Sequence, residues 1–466
     1  MQPHLWGFYL LHFFIVYGIS MQCCNMAPLI LILLSLCCSG GDFHVFSLTD
    51  CICVAISENV QVKQAETLVN ISNAAQHSSN NAYIPSLSVS NSNNLSQGRV
   101  LDPTTYQFVT NRTVYDMSTA IGGSMTLFSG FERPNNIEKA KLNLQSALLE
   151  TEKTKNDIAL NVTALFLNIV LDKEAVEICE RKISMLEEQE KAVQKKLEYK
   201  VATPGDLLNI QADITKAKVE LASAQNNLNL DKVSMCELLE IDDWESFDIT
   251  TKDEGYETVE PRLWRISDIV SSAFQLPQIK QGELAIDIAR RDVSIAKSLF
   301  WPTVSLNAGY GSTFSNARTK IGGEPYNFRE QFRDNMSSYV TLSLNIPILS
   351  AITTSNNVKQ KKLACTRVEY ELTQAKLALD KEVKQAIVNA NTSYEKYSLL
   401  ETEVNKCREA LRQTQAKYDA GAATYYDYQI AVGNLFQAEA QQLQSKYEYI
   451  FSIKIIDFYA GKSLTE

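Results

Sequence analysis

Histidine is scarce in this chain and is confined to one end of it. The only four are His4, His12, His44 and His77, so the rest of the chain lacks the side chain most often used in acid–base catalysis and metal binding. The sequence also contains no glycine-rich nucleotide-binding loop and no catalytic constellation. We therefore expect a protein that is not an enzyme and that has no cofactor and no metal.

Positive charge is also in short supply. The chain has 44 Lys and Arg against 54 Asp and Glu, a net charge of -10 at pH 7, and its basic residues form no cluster. A surface that binds nucleic acid needs clustered Lys and Arg to neutralise the phosphates. Nucleic acid is therefore excluded as a partner.

Long apolar runs are missing as well. The two longest near the N-terminus, Leu5 to Ile19 and Pro28 to Cys38, are both too short to be clear membrane-spanning helices. The second has the length of a secretory signal and ends in small residues, so residues 1–41 are predicted to be a targeting region. The basic residues that usually precede such a run are absent. A later translation start, such as Met26, is one explanation, although it lacks a positive charge too.

The ten cysteines do not form a disulfide framework. Six lie in the N-terminal part, where lipid attachment at Cys37 or Cys38 is an alternative that the large Leu36 disfavours. The other four lie at heptad positions or beside them. In a hairpin that turns near residue 203, Cys179 and Cys236 are out of register for a disulfide, so we expect both to fill the core.

What the sequence does contain is a duplication. Gln61–Glu66 recurs as Gln278–Glu283, and Tyr83-Ile84-Pro85 recurs as Phe300-Trp301-Pro302. Both repeats share one offset in the numbering, from 61 to 278 and from 83 to 300. Further on, Asn135 returns as Asn356, an offset that is larger by four. We expect this change of offset to be absorbed in a loop between strands.

Each half ends in a heptad pattern typical of a long helical hairpin. From Ile158 to Leu197 apolar residues alternate at spacings of four and three, and only Asp172 and Glu190 are clearly polar at these places. The pattern predicts a helix from about Ile137 to Lys200, about 95 Å long. Turns are predicted at 203–206 and 420–423, each followed by a return helix, the second of which runs from Thr424 to about Tyr459.

Before each hairpin the period changes to two. Tyr339–Ile346 alternates polar and apolar side chains, which predicts a strand, and its partner begins at Pro302. The first half offers strands at 85–92 and 119–128. The polar stretches between the strands, about 92–117 and 312–337, are interpreted as long loops, as in outer-membrane barrels. The alternative is an ordinary sheet packed on the helices.

Aromatic residues directly precede the first strand of each pair. Tyr83, Phe300 and Trp301 fit the girdle that membrane barrels place at the lipid–water interface. Four strands are too few to close around a lumen, and an open sheet edge cannot face lipid. Several chains would therefore share one barrel.

These patterns divide the chain into two repeats behind the targeting region. The predicted units are residues 1–41 (targeting), 47–240 (first repeat, with a helix at 47–80, barrel strands at 83–130 and a helical hairpin at 131–240), 241–262 (linker) and 263–461 (second repeat, with a helix at 263–299, barrel strands at 300–350 and a hairpin at 353–461).

Tandem repeats of this kind, with Thr-x-x-Asp at each hairpin tip, resemble the TolC family of outer-membrane efflux proteins. The resemblance covers residues 47–461 and rests on the architecture, on the tip motifs at 203–206 and 418–427, and on the opening Ser47–Ile52. It implies a mainly α fold with a β-barrel part: a long coiled-coil α-barrel, and four strands given to a shared trimeric transmembrane β-barrel. It also implies a homotrimer in the outer membrane of a Gram-negative bacterium, with a periplasmic extension.

The resemblance also implies a periplasmic constriction at the hairpin tips. Asp427 matches the acidic residue that three chains bring together there, where a ring of carboxylates attracts cations. Asp206 and Tyr418 match positions that link neighbouring hairpins in the closed state. Ala423 departs from the family, since some relatives carry an arginine there, so closure would depend on other contacts.

Thr203, Thr424 and Gly421 complete the predicted gate residues. The alternative is purely local: the two aspartates cap helices, the two threonines belong to turns, and Tyr418 is a seam residue.

The predicted function is a passive outer-membrane exit duct of a tripartite efflux or type I secretion system. The resemblance implies that a periplasmic adaptor and an inner-membrane transporter dock with it, and lipid surrounds its barrel. The alternatives are a periplasmic coiled-coil adaptor or scaffold without a membrane barrel, and a filament-like coiled coil. Two hairpins disfavour the adaptor, and the strict alternation at 339–346 disfavours the filament.

Overall fold

The fold is described from a computed structural model. It describes residues 45–462 apart from 102–107, 201, 251–259, 321, 323 and 325. The predicted targeting region, residues 1–41, lies outside the described residues.

Two similar runs of elements make up the described chain, each a helical lead-in, a strand pair and a long helical hairpin. The first run comprises β1 (Val45–Phe46), α1 (Leu48–Glu58), α2 (Val60–Asn80), β2 (Ser86–Leu101), β3 (Phe108–Ser129), α3 (Glu132–Glu198) and α4 (Pro204–Leu239). After β4 (Asp248–Ile249), the second comprises α5 (Ile266–Ala273), α6 (Pro277–Ser298), β5 (Thr303–Ser315), α7 (Phe328–Asp334), β6 (Ser337–Asn345), α8 (Ala351–Asp419) and α9 (Tyr425–Tyr459).

Two very long helices set the dimensions of the molecule. Helix α3 has 67 residues and α8 has 69, so each is about 100 Å long at 1.5 Å per residue. The C-terminal parts of the long helices pack against the return helices, α3 against α4 and α8 against α9. Their N-terminal parts pack against the lead-in helices, α3 against α2 and α6, and α8 against α6. Each long helix is therefore paired along most of its length.

The predicted heptad seam is the core of this bundle. Ile158, Val162 and Ile169 of α3 are at most 1% exposed, and Val383 and Ala390 of α8 are fully buried. Positions 162 and 383, like positions 169 and 390, are related by the same offset as Asn135 and Asn356 in the sequence. Equivalent positions of the two halves thus enter one common core, as the duplication predicts.

The expectation that Cys179 and Cys236 fill the core is confirmed for Cys236 only, since Cys179 is partly exposed. Cys236 is 2% exposed within the core, and it forms no disulfide with Cys179. Burial raises the pKa of the Cys236 thiol to about 11, so this side chain behaves as a small apolar group.

A four-stranded antiparallel sheet lies at the N-terminal end of the long helices α3 and α8, and its strand order is β2-β3-β5-β6. Ser86 lies opposite Ser124 in the first strand pair, and Thr303 lies opposite Asn345 in the second. Strands β3 and β5 join the two halves. Within the described chain, β2 and β6 are the sheet's two edges and pair on one side only.

The first predicted polar loop is wrong. Strand β2 continues through Ser92 to Leu101, and β3 already begins at Phe108. Polar side chains bridge these strands, as when Asn91 Nδ2 donates to Thr119 Oγ1 at 3.0 Å and Tyr115 Oη donates to Asn93 Oδ1 at 2.7 Å. Because the backbone ladder and these bridges need no apolar alternation, the strands extend into sequence that reads as loop.

In the second half the predicted loop is partly ordered structure too. Strand β5 runs on to Ser315, and α7 occupies 328–334. The side chain of Gln331, on α7, bonds the backbone N–H and C=O of Ser315 at 3.1 Å and 2.9 Å. The Gln331 amide takes the place of a neighbouring strand, because β6 pairs with β5 only as far as Gly311.

One face of the sheet is apolar and uncovered. Seven of its large side chains are between 47% and 78% exposed, namely Leu87, Val89, Leu95, Ile121, Val340, Leu342 and Leu344. The alternative of a sheet packed on its own helices is therefore wrong, since those helices do not cover this face. None of the helices in the described ranges has both the length and the apolar character that a membrane crossing needs.

Candidate functional site

The predicted gate residues lie together at the end of the bundle farthest from the sheet. Two short turns are found there, one joining α3 to α4 and one joining α8 to α9. Gly421 has φ +71 in the second turn, a left-handed conformation that glycine adopts without strain, whereas Lys200 adopts φ +58 in the first.

Each turn is followed by the same capping box. The Thr203 N–H donates to Asp206 Oδ2 at 2.9 Å, and the Asp206 N–H donates back to Thr203 Oγ1 at 3.2 Å. The Thr424 N–H donates to Asp427 Oδ2 at 2.9 Å, and the Asp427 N–H donates to Thr424 Oγ1 at 3.2 Å. Such reciprocal bonds satisfy two backbone donors at a helix start. All four residues thus take part in helix capping, as the local interpretation held for the aspartates, but the N-cap residues are Thr203 and Thr424, which were assigned to turns. The gate role stays a prediction.

Capping does not exhaust the hydrogen-bonding capacity of Asp427. All its bonds from Thr424 go to one oxygen, Oδ2, and these bonds hold the pKa of the exposed carboxyl below its ordinary value. The group is therefore negative throughout the physiological range. A charged carboxylate at the tip has the chemistry that a cation-attracting ring requires.

Three tyrosines form a cluster behind the second turn. The rings of Tyr418 and Tyr428 stack with their centroids 5.7 Å apart, and Tyr425 lies 6.3 Å from Tyr418 and 6.5 Å from Tyr428. Burial, followed by the nearby Asp206 carboxylate, raises the pKa of Tyr418. Burial raises the pKa of Tyr428 to about 12. All three rings thus remain neutral and pack as a partly buried block.

This tyrosine cluster ties the two hairpins together within one chain. The Tyr425 hydroxyl donates to Asp213 Oδ2 on α4 at 2.9 Å and also contacts Gln429. Lys196 of α3 lies with Nζ 4.4 Å from the centre of the Tyr418 ring and 3.4 Å from Asp419 Oδ1. A lysine therefore supplies positive charge at the tip, next to the turn that contains Ala423.

Sequence reasoning identified Tyr418 but missed Tyr425, Tyr428 and Lys196. The available signal was the run Tyr425-Tyr426 directly after the turn, together with Tyr428 one helical turn from Tyr425. Lys196 carries no such signal, since it is one of many charged residues on α3. Its role depends on a contact between α3 and α8 that only the packing creates.

The predicted interface aromatics lie at the junction between the long helices and the sheet. Tyr83, Phe300 and Trp301 are 47%, 43% and 52% exposed. Trp301 packs edge-on against Phe131 at 6.0 Å, and the Arg133 guanidinium lies 5.3 Å from the centre of the Tyr83 ring. The sequence analysis missed Phe131, which joins this aromatic group from the first half of the chain.

Comparison with known proteins adds a family match to this geometry. A family model described as "Outer membrane efflux protein" matches residues 52–239 and 271–453, one segment in each half.

Three curated relatives illustrate the sequence similarity. The "Outer membrane protein TolC" of Vibrio cholerae is 26% identical over 174 residues, 37% of this chain and 38% of the relative. The protein of the same name from Escherichia coli is 23% identical over 176 residues, 37% and 35% of the two chains. The "Alkaline protease secretion protein AprF" of Pseudomonas aeruginosa is 22% identical over 323 residues, 68% and 64%. The alignments thus span less than two thirds of each relative.

Solved structures match over nearly the whole chain. CusC, in a study of folding and transmembrane channel formation, has a TM-score of 0.76 at 17% identity, with 90% of this chain and 93% of that chain covered. The Campylobacter jejuni CmeC outer membrane channel has a TM-score of 0.73 at 17% identity, with 90% and 87% covered. At this identity the match concerns the fold, and it confirms the predicted duplicated fold class.

Proposed function

The chain belongs to the outer membrane efflux protein family, and from this premise we propose that it is a passive exit duct, the outer-membrane component of a tripartite efflux or type I secretion system. Its location is the cell outer membrane, with an extension into the periplasm. In the proposed assembly three chains each contribute β2, β3, β5 and β6 to one twelve-stranded barrel. The hairpins of the three chains continue the barrel as a tunnel of helices.

One observation carries this proposal: among the described residues the sheet is open at both edges, and one of its exposed faces is apolar. A sheet edge in lipid would leave N–H and C=O groups without partners, so a membrane sheet must close on itself. Four strands cannot enclose a lumen, whereas twelve can. Three copies of this chain would remove every edge and present one continuous apolar belt to lipid.

The helical part supports the same proposal. The long helices extend about 100 Å away from the sheet, much farther than any domain that only stabilises a barrel would need. The family consists of channel proteins, and no catalytic function is proposed for this chain. Energy for transport would therefore come from a partner.

Partners are proposed by class. Family members are trimeric channels that work with adaptor and inner-membrane pump partners, and we propose the same two partner classes here, with lipid around the barrel. The name of AprF describes secretion of an alkaline protease by that protein. Its alignment to 68% of this chain supports keeping type I secretion beside efflux in the proposal.

The tip is proposed as the constriction that docking opens. Asp427 of three chains would form the carboxylate ring, and Asp206, Tyr418, Thr203, Thr424 and Gly421 would shape and fasten the turns around it. Capping and gating are compatible, because the capping box occupies only Oδ2 of Asp427.

The remaining proposals concern the ends of the barrel and the chain's organisation. Tyr83, Phe300 and Trp301 would lie at the periplasmic membrane interface. Residues 1–41 would direct export, and the repeats would have the predicted bounds 47–240 and 263–461, with 241–262 as their linker.

The first experiment tests location and assembly. The full chain is expressed in a Gram-negative host that lacks its own exit duct, and membranes are fractionated and run on denaturing gels with and without heating. We expect the protein in the outer membrane as a species of three chains, each of 52.2 kDa less any export signal that is removed, and this species should dissociate on heating. Recovery as a soluble monomer would contradict the duct and favour a periplasmic adaptor or scaffold.

The second experiment tests the constriction with a matched control. Asp427→Asn removes the charge and keeps the capping geometry, so in planar bilayers we expect lower cation selectivity. The control is Asp50→Asn, because Ser47 and Asp50 form the same capping box at the start of α1, far from the tips. Unchanged conductance and selectivity in Asp427→Asn would reject the gate.

A further inference from the structure

The internal duplication specifies how two copies of this chain meet. Resting on the proposed trimer, we propose that β6 of one chain pairs antiparallel with β2 of the next in one register. In that register Thr341 lies opposite Asn94 of the partner subunit, and Val340 lies opposite Leu95 of the partner subunit.

The structure itself supplies the correspondence between the two strand pairs. Strand β2 begins at Ser86 and β5 at Thr303, which is the same offset that relates Gln61 to Gln278 in the sequence. Ser86 lies opposite Ser124, and Thr303 lies opposite Asn345. Residues of β3 therefore correspond to residues of β6 at the larger offset, 124 to 345, as they do in the hairpins that follow.

The pairing between β3 and β5 is the template for the contact between chains. This pair joins the first repeat to the second, so in a closed ring the next joint, β6 to the partner's β2, is its repeat-related counterpart. Ala120 lies opposite Gly311 in the template. Position 120 of β3 corresponds to 341 of β6, and position 311 of β5 corresponds to 94 of β2, which gives Thr341 opposite Asn94 of the partner subunit.

Side-chain alternation agrees with this register. On the face that is apolar in β6, Val340 would stand beside Leu95 of the partner subunit, and both side chains are at least 70% exposed in the single chain. On the other face, Thr341 would meet Asn94 of the partner subunit and Ser343 would meet Ser92 of the partner subunit, which are all polar. A slip of one residue would turn the apolar face of one strand toward the polar face of its neighbour.

The lengths of the two edges agree as well. Strand β6 begins at Ser337, and the register places Ser337 opposite Gly98 of the partner subunit. Gly98 has φ +127, and the β2–β3 ladder shifts register between Gly98 and Val100. The regular edge of β2 thus stops at Gly98, the residue that would face the first residue of its proposed partner strand. Pairing within one chain does not require this coincidence.

The region beyond Ser337 is closed to another strand in the same chain. There the edge of β5 is covered by α7, where Asn335 Nδ2 donates to the Thr313 carbonyl at 2.6 Å and Gln331 bonds both backbone groups of Ser315. The intersubunit ladder would therefore span Ser337–Asn345 of β6. Beyond Ser337, the partner's β2 would run beside α7 instead of a strand.

Paired cysteines test the register. Thr341→Cys with Asn94→Cys, and Val340→Cys with Leu95→Cys, are each introduced into the full chain, expressed in the outer membrane and oxidised. Directly opposed residues are about 4.5–5.5 Å apart between Cα atoms, within reach of a disulfide. Within one chain, Thr341 lies in line with Ser86 across the sheet. Asn94 is therefore three strand spacings away and displaced by a further eight residues, about 27 Å, along β2, so a disulfide between residues 94 and 341 must join two chains.

Slipped pairs are the matched controls. Thr341→Cys with Ser92→Cys or with Ser96→Cys keeps the same face but displaces the partner by two residues, about 7 Å along the strand. We expect cross-linked dimers and trimers on heated non-reducing gels for both in-register pairs, and less than about a tenth of that yield for the slipped pairs. Single-cysteine variants exclude bands formed with native cysteines.

The outcomes separate this register from the assembly itself. Stronger cross-linking of a slipped pair, or no cross-link in a protein that runs as a trimer without heating, would overturn the register and leave the duct standing. A protein that is monomeric without heating and shows no cross-link would overturn both.

Discussion

The two halves of the chain share a backbone frame and differ in what fills it. Positions 162 and 383 are both fully buried valines, and both tips carry the same capping box. Yet Asp172 and Asp231 of the first half correspond, at the offset that relates 162 to 383, to Ser393 and Ser452 of the second. The comparison shows that contacts required by the backbone are kept in both copies, whereas side chains around them differ.

The acidic pair is the clearest such difference. Burial, followed by the Asp231 charge, raises the pKa of Asp172 to about 6, and burial raises the pKa of Asp231. The serines at the equivalent positions carry no charge, and Ser452 Oγ donates to the Glu448 carbonyl at 2.8 Å. The first half therefore carries an acidic pair whose contribution to stability changes between about pH 4 and pH 6.

The tips differ in a second way. The first turn uses Lys200 in the left-handed conformation, and the second uses Gly421. Only the second is followed by the tyrosine cluster, whose member Tyr425 corresponds to Pro204 in the first half. Attachment between the hairpins is therefore provided largely from one side.

The largest expected effect tests the shared core. Phe166 and Ile387 occupy equivalent positions and are 0% and 6% exposed. Phe166→Ala should cost about 3–5 kcal/mol and Ile387→Ala about 2–5 kcal/mol, because each leaves a cavity in a packed seam. Denaturant unfolding of the detergent-solubilised protein, followed by circular dichroism, measures both. A tolerated loss in only one half would contradict the equivalence of the two seams.

The next effect tests the attachment between hairpins. Tyr425→Phe removes the hydroxyl that bonds the Asp213 carboxylate and should cost about 1.5–3 kcal/mol, since the acceptor is charged. Tyr428→Phe is the control, because within the described residues its hydroxyl has no hydrogen-bond partner. Thermal unfolding should separate the two variants, and equal midpoints would show that the Tyr425 bond contributes nothing.

The acidic pair gives a smaller, pH-dependent effect. Because the folded state holds the Asp172 proton more tightly than the unfolded chain, stability falls as pH rises from the ordinary value of 3.8 to the folded pKa of about 6. Asp172→Asn should therefore stabilise by about 1 kcal/mol above pH 6, after allowance for solvent screening, and by little below pH 4. Unfolding midpoints between pH 4 and 8 measure this.

Ser393→Asn provides the matched control for the acidic pair. It introduces the same amide at the equivalent position of the second half, where no carboxylate is replaced. We expect any change in its unfolding midpoint to be independent of pH. A pH-dependent change in this variant would argue that the dependence does not come from Asp172.

The smallest effect tests the two turns. Gly421→Ala should cost about 1 kcal/mol, because a Cβ is disfavoured at φ +71, and Lys200→Gly should be neutral or stabilise by about a few tenths of a kcal/mol through release of the same strain. No atom lies within 4 Å of a Cβ built at Gly421, so a steric clash does not confuse the result. Changes in the thermal midpoint with the same sign in both variants would contradict the requirement for a left-handed backbone at these two positions.

Much of the fold was predictable because its signals are local. The heptad rows around Ile158 and Val383 predicted long helices, and Thr-x-x-Asp predicted where α4 and α9 begin. The extension of β2 to Leu101 and the helix α7 were not predictable in this way. Polar side chains bridge β2 and β3 across the ladder, and α7 takes its place from the edge of β5 that it covers.

The candidate site divides in the same manner. The capping residues are determined within four consecutive positions, so the motif alone locates them. The tyrosine cluster, the Lys196 contact with Tyr418 and the aromatic group around Phe131 each join residues that are distant in the sequence. Their side chains have no preference for one another until the helices pack.

The sequence by itself determined the duplication, the type of each long element and the position of each tip, because hydrophobic period and helix capping act over one or two turns of chain. Only the tertiary structure decided which edges of the sheet stay open, how far each strand extends and which charges meet at the tip. Those outcomes depend on long-range backbone pairing and on the burial of surfaces from separate helices, and no short segment encodes either.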